Sequence, residues 1–183
     1  RKRDLLVELL SKRHMDQVLV FGKTKHGCNR LAEQLAESGL PSVAIHGNKS
    51  QAQRQKALDA FKSGRARILV ATDVAARGLD IPNLPLVINH DLPMVAEDYV
   101  HRIGRTGRNG ATGEALSLVS PEEGGLLRQI QRMLNAEITM ETVEGFAPSQ
   151  PIRLDTPIPK NGGGGQRRQP GGGRPGARMG EQK

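Results

Sequence analysis

The sequence predicts an α/β fold, a parallel sheet covered by helices on both faces, followed by a basic tail with no core of its own. Three observations carry this. Short runs such as Val18-Leu19-Val20-Phe21 and Ile68-Leu69-Val70-Ala71 are apolar throughout and alternate with segments of helical periodicity, the pattern of strands buried on both faces. The 183 residues, 36% hydrophobic, suffice for one well-filled domain with residues to spare. The spare ones lie at the end, where residues 162–165 and 171–173 are pure glycine and no periodicity survives.

In chain order, Leu5, Leu6, Leu9 and Leu10 recur at helical spacing after Asp4, and the run from Val18 reads as a buried strand. Between Lys25 and Ser38, the residues Cys28, Leu31, Ala32 and Leu35 share one helical face, Gly39 stops the helix, and Val43-Ala44-Ile45 forms a second strand. Ser50 with Gln53 three residues on is a capping box, opening a helix that carries Ala57, Leu58 and Phe61 and ends at Gly64. Ile68-Leu69-Val70-Ala71, Leu86-Val87-Ile88 and Ala115-Leu116-Ser117-Leu118-Val119 predict three more buried strands. Ser120-Pro121-Glu122-Glu123 supplies a cap, a proline at the first helical position and first-turn acids, before a helix through Ile130 and Leu134. Residues 1–145 are read as the domain, 146–159 as a proline-containing linker and 160–183 as a disordered basic tail. In such a sheet, function is expected at the carboxyl ends of the strands.

The formal charge is +8, and most of the excess sits in the tail, where Lys160, Arg167, Arg168, Arg174, Arg178 and Lys183 face Glu181 alone. Such a balance suits a polyanionic partner, because neutralised phosphates release condensed counterions. Aromatics are few: Phe21, Phe61, Tyr99 and Phe146. Recognition of a nucleic-acid backbone therefore fits better than base stacking. The lone cysteine, Cys28, permits neither an internal disulfide nor a multi-thiolate metal site and is expected as a buried thiol; no metal site is expected. No apolar run is long enough to cross a bilayer and no signal-peptide pattern opens the chain, so a cytoplasmic protein without membrane contact is expected.

Two segments imitate nucleotide motifs. Gly22-Lys23-Thr24 looks like the end of a phosphate-binding loop, but the first glycine of that motif would fall on Gln17, and the residues between form the strand itself. Asp73, at the end of the run from Ile68, imitates a magnesium carboxylate with no such loop to bring the metal. The informative segment is His101-Arg102-Ile103-Gly104-Arg105-Thr106-Gly107-Arg108, in which three mutually repelling arginines are separated by small residues. Surface salt bridges are the plain reading of any one of them. Glycines that admit a second surface, with planar guanidinium forks, instead suit a phosphate shared with a partner.

HRIGRTGR at 101–108 resembles helicase motif VI, and ATDVAARGLDIP at 71–82 resembles motif V of the DEAD-box RNA helicases. VLVFGKTK at 18–25 resembles motif IV, and the stretch from His46-Gly47 through Gln53-Arg54 resembles the family's intervening RNA-contacting region; order and spacing agree over roughly residues 1–145. The glycine-, arginine- and glutamine-rich tail is most similar to the bacterial RhlE-type subgroup. The resemblance implies the C-terminal RecA-like lobe of an ATP-dependent RNA helicase. It makes Arg105 and Arg108 arginine fingers for an ATP, with Mg2+, held on an N-terminal lobe. Asp80 is then the ribose contact with Gly78 keeping the backbone close, and His101 and Arg102 couple the two lobes. Thr72, Arg54, His46 and Gly47 are the RNA-facing set. Plainer roles stand beside these: Thr72 as a strand-end cap, Arg54 as a solvated helix residue, Asp80 as a turn former and His101 as a satisfied core histidine. The Q motif, phosphate loop, DEAD box and SAT motif belong to the N-terminal lobe and do not occur in these residues, so the chain is expected to be a fragment, inactive alone. Partners implied are RNA, that lobe, and ribosomal or RNA-decay assemblies. A non-enzymatic RNA-binding module and a DNA-directed helicase lobe are the rival readings.

Overall fold

The computed structural model describes residues 1–14, 16–81, 83–107 and 112–158; Arg108 and the tail expected at 160–183 lie outside the described residues. Strands β1 (Val18–Phe21), β2 (Ser42–Ile45), β3 (Ile68–Ala71), β4 (Leu86–Asn89) and β5 (Glu114–Ser117) form one sheet in the order β2-β3-β1-β4-β5. Every pairing is parallel. The helices are α1 (Lys2–Lys12), α2 (Lys25–Glu37), α3 (Gln51–Lys62), α4 (Asp73–Arg77), α5 (Ala96–Ile103) and α6 (Gly124–Leu134), the last preceded by a 3-10 turn over Pro121–Glu123.

The alternation of side chains across each strand divides the core in two. Val18, Val20, Ile68, Val70, Leu86 and Ile88 face α1 and α2, meeting Leu6, Leu10, Leu31 and Leu35. Leu19, Phe21, Leu69, Ala71 and Val87 face the opposite way, onto α3 and α4 through Leu58, Phe61, Ala75 and Ala76. A third cluster joins Tyr99 of α5 to Leu126, Leu127 and Ile130 of α6. Cys28 is fully buried within the first cluster, and that burial raises its thiol pKa to about 11.

The predicted punctuation is observed. Ser50 and Gln53 make a reciprocal capping box at α3. Gly39 and Gly64 end their helices with φ of +82° and +83°, a backbone region that costs a residue with a Cβ. Glu123 closes the turn into α6, its carboxylate accepting the Ser120 amide at 3.1 Å and the Ser120 hydroxyl at 2.9 Å. Two differences are physical. β5 is half-exposed rather than buried, because it is the edge strand with β4 as its one neighbour. Residues 151–158, expected within a linker, run back over α6: a Cβ on Gly124 would lie 1.9 Å from the Arg153 carbonyl oxygen, and one on Gly125 2.2 Å from that of Thr156. Ile152 packs on the third cluster from the same stretch. Among the described residues, no helix is long and apolar enough to cross a membrane.

Candidate functional site

Phe21, Ile45, Ala71 and Asn89 stand in register at the carboxyl ends of their strands, so Gly22, His46, Thr72 and His90 follow one another along a single edge of the sheet. Of the polar residues singled out in the sequence, His46 and Thr72 stand on that edge, and Arg54 and Arg105 reach the helix that follows Thr72.

The short helix α4 is the centre of the arrangement. Thr72 caps it, its hydroxyl accepting the Ala75 amide at 3.4 Å. Arg54 reaches from α3 and donates through Nη2 to the Ala75 carbonyl at 3.4 Å, while its Nε is buried with no hydrogen-bond partner among the described residues. Thr72 and Arg54, proposed separately from sequence, thus meet on one residue. At the other end Arg105 donates to the carbonyls of Ala76, at 2.6 Å, and Leu79. Arg105 follows α5, and the glycine at 104 ends that helix so that the arginine turns back over α4. Gly78 ends α4 with ordinary φ, and a Cβ there would meet nothing within 4 Å among the described residues, so none of them demands glycine at that position. Asp80 is exposed beside it.

Arg102 is 2% exposed and faces inward. Its Nε and Nη2 hold both oxygens of Asp73 at 2.6 and 2.7 Å, and its Nη1 donates to Asn89 Oδ1 at 3.2 Å and to the Asp91 carbonyl at 2.6 Å. The guanidinium also lies 5.0 Å from the centre of the Phe21 ring. Asp73, the apparent magnesium carboxylate, is therefore the partner of Arg102. Sequence reasoning missed that role, since the two are 29 positions apart. Asp91 extends the network: its carboxylate accepts from the Lys23 amide at 3.2 Å, meets His90 Nδ1 at 3.2 Å and lies 3.6 Å from Lys2 Nζ. Burial alone would raise the Asp91 pKa; the hydrogen bond and charge of His90, then Lys2 and the Lys23 amide, outweigh it and hold the group at about 2.

His101 is not a core histidine. Its side chain is 69% exposed, with Nδ1 3.7 Å from Asp98 Oδ1. Asp98 also receives Arg77 at 3.1 Å, which ties α4 to α5. His46, by contrast, is buried, and Gly47 follows it in an exposed turn. The phosphate-loop imitation dissolves on inspection of its backbone: β1 occupies Val18–Phe21, and Thr24 caps α2 by accepting the Gly27 amide at 3.0 Å. Among the described residues no group of three His, Cys, Asp or Glu could hold a metal ion.

A five-stranded parallel sheet of this order, with His46 and Thr72 at its carboxyl edge, is the RecA-like arrangement that the motifs implied. The chain matches the helicase conserved C-terminal domain family over residues 1–110. It is 41% identical over 179 residues to DEAD-box ATP-dependent RNA helicase 30 of Arabidopsis thaliana, covering 96% of this chain and 29% of that protein. It is 46% identical over 149 residues to ATP-dependent RNA helicase DBP2 of Saccharomyces cerevisiae, covering 78% and 27%. Among solved structures it is similar to the E. coli DEAD-box protein SrmB bound to regulator of ribonuclease activity A, with a TM-score of 0.76 and 36% identity over 87% of this chain and 91% of that one. The C-terminal domain of the DEAD-box protein Dbp5 gives 0.67 and 36%, over 73% and 78%. The chain belongs to the helicase C-terminal domain family, as the RecA-like C-terminal domain of a DEAD-box protein. It spans less than a third of the length of these two curated relatives.

Proposed function

We propose that this chain is the C-terminal half of an ATP-dependent RNA helicase, binding the backbone of single-stranded RNA and completing an ATPase site on an N-terminal lobe. The observation that supports it most is the convergence on α4: Thr72 and Arg54 meet at Ala75, and Arg105 closes on Ala76 and Leu79. Thr72 and Arg54, with Gly47 in the turn after β2, form the RNA-facing set. The plain role of Thr72 coexists with this one, since a cap that fixes a hydroxyl at a strand end also fixes what faces a phosphate, whereas Arg54 is half-buried against α4 and is not a solvated helix residue.

Gly78, Asp80 and Arg105 fit a ligand that carries both ribose and phosphate. The space at Gly78 is open, the Asp80 carboxylate is exposed, and the Arg105 guanidinium lies against Leu79 between them. ATP, when bound, supplies the phosphoanhydride bond whose hydrolysis resets the lobes. Arg105, and with it Arg108, neutralises charge at the γ-phosphate, for which Arg105 must exchange its two carbonyls for phosphate oxygens. Asp73 is committed to Arg102, so Mg2+ is assigned with ATP to the N-terminal lobe. Exposed His101 and the valines Val74, Val95 and Val100 give α4 and α5 a surface suited to that lobe, with buried Arg102 fixing the two helices behind it. In the intact protein, closure over RNA bends one strand, and a short duplex separates locally.

Residues 1–145 then act as the catalytic lobe and 160–183 as a basic RNA tether. Its glycine, arginine and glutamine content supports the bacterial RhlE-type subgroup; a cytoplasmic setting, and ribosomal or RNA-decay assemblies as partners, are proposed with it. The test is single-turnover hydrolysis in the whole protein at saturating RNA. Arg105→Ala and Arg105→Lys should both lose activity on the order of 10³-fold while still binding RNA, because a lysine lacks the planar fork. Arg54→Ala should recover as RNA is raised. Near-normal turnover by Arg105→Ala removes the finger assignment, and its rescue by RNA alone moves Arg105 into the RNA groove.

A further inference from the structure

His46 follows the last residue of β2, is 8% exposed, and accepts the Asn48 amide on Nδ1 at 3.3 Å. A lone pair must face an N–H, so Nδ1 carries no proton and the neutral ring is protonated at Nε2. That Nε2 is itself buried and has no hydrogen-bond partner among the described residues. It is therefore not placed to donate to a ligand arriving from solvent. Protonating Nδ1 would set a donor against the Asn48 amide. Burial first, then the charges of Lys49, His26 and Lys25, hold the His46 pKa below the usual histidine value.

The turn that His46 fixes is compact. The Lys49 amide donates to the His46 carbonyl at 3.1 Å. Lys25, at the start of α2, lies across Gly47 and donates to Asn48 Oδ1 at 3.3 Å. A Cβ on Gly47 would stand 3.2 Å from Lys25 Cε and 3.4 Å from Nζ, pressing the lysine off the turn. Lys25 and His26 are exposed and Lys49 half-buried, three basic side chains gathered round one turn at the edge that carries Thr72 and Arg54. Such a group repels itself until an anion arrives.

We infer that His46 serves RNA binding as a neutral positioning residue. Through Nδ1 it holds the turn at residues 46–49 so that Lys25, His26 and Lys49 present their charge to RNA phosphates, and it does not itself contact the RNA. This rests on the RNA-groove reading of the same edge. It also reverses the direct role that the resemblance gave His46, because the atom a phosphate would need is turned inside.

The experiment exploits side-chain geometry. His46→Asn places an amide oxygen near the position of Nδ1 and cannot be protonated; His46→Gln extends its polar end towards the position of Nε2; His46→Ala supplies neither. A decauridylate is titrated into the 183-residue chain of each variant and followed at the backbone amides of Gly47 and Lys49, which report this turn rather than the tail. Imidazole nitrogen shifts of His46 are recorded in the unmodified chain, and thermal melts confirm that each variant is folded. The Asn variant should bind within about twofold of the unmodified chain and the Gln and Ala variants about fivefold more weakly, the loss of one buried hydrogen bond. The His46 ring should titrate below the usual histidine value, and its neutral form should carry the proton on Nε2, with and without RNA. Binding by a folded Asn variant as weak as that of Ala, or RNA-driven protonation of Nδ1, overturns the inference. If Arg54→Ala and Thr72→Ala leave the titration unchanged, the groove reading fails and takes this inference with it. A loss at Arg54 and Thr72 with no rescue by Asn isolates the failure to His46.

Discussion

Removing the Arg102 side chain should cost this domain a large part of its stability. Arg102 is 2% exposed, and the Asp73 side chain it holds is 28% exposed, so the pair sits largely out of water. Arg102→Met would fill much of the space while leaving the Asp73 carboxylate, Asn89 Oδ1 and the Asp91 carbonyl without their donor. Breaking a buried pair costs about 3–5 kcal/mol; partial solvation of Asp73 favours the lower end, about 3 kcal/mol. Domains of this size hold about 5–15 kcal/mol in total. With a urea dependence of about 2 kcal/mol per molar, the midpoint should fall by about 1.5 M, read by far-ultraviolet circular dichroism. Arg102→Lys keeps the charge but cannot span both Asp73 oxygens, Asn89 and the carbonyl, so it should recover less than half of the loss. In a double-mutant cycle with Asp73→Ala, the second change should cost at least about 1 kcal/mol less once Arg102 is gone. A loss below about 1 kcal/mol, the range of exposed ion pairs, or a cycle without coupling would refute the reasoning.

Two further outcomes follow from charge. Deleting residues 160–183 removes six cations and Glu181, so the slope of log affinity for single-stranded RNA against log salt should flatten by up to about 4, with thermal unfolding unchanged; an unaltered slope means that the tail does not touch RNA. Asp91 is held at about 2 in the folded protein, below its unfolded value of 3.8, so the stability it contributes, on the order of 2 kcal/mol, is present above pH 4 and is lost as pH falls towards 2. Acid titration of Asp91→Asn should show a shallower decline across that window, and identical acid profiles would remove Asp91 from the account.

β1 and β3 were legible because both faces of each are buried, which leaves no polar position to break the run: Val18 and Val20 pack one way, Leu19 and Phe21 the other. α2, α3 and α6 were legible from caps or glycine stops that are chemically local, and α1 from the spacing of its leucines. α4 and α5 were not. Five residues show no period, and the buried face of α5 consists of Tyr99 and Arg102, so a hydropathy reading misses the arginine that packs inward. For the same reason the three arginines of the 101–108 segment looked equivalent. Arg102 lies in the last turn of α5 and points into the lobe, while Arg105 falls past the helix end and bends over α4. The roles of Asp73, Asn89 and Lys25 depend on partners far along the chain, and sequence spacing carries no trace of them.

A helix of five residues has no stability of its own, since nucleation alone exceeds what its few hydrogen bonds return. α4 persists because Thr72 caps it, Arg54 holds Ala75, Arg102 grips Asp73 and Arg105 closes on Ala76 and Leu79. On the proposed assignments, two of those clamps belong to RNA and one to ATP. A phosphate that draws Arg54 from the Ala75 carbonyl, or one that draws Arg105 from its two carbonyls, changes how firmly the same five residues are held. Each ligand then alters the free energy of the other's binding by the same amount, as linkage requires, and the coupling needs no longer route than a single turn of helix. Arg102, buried and in contact with neither ligand, keeps α4 attached to the sheet edge while the other clamps exchange partners. Its loss should therefore uncouple RNA stimulation from ATP hydrolysis, even under conditions mild enough for the domain to remain folded.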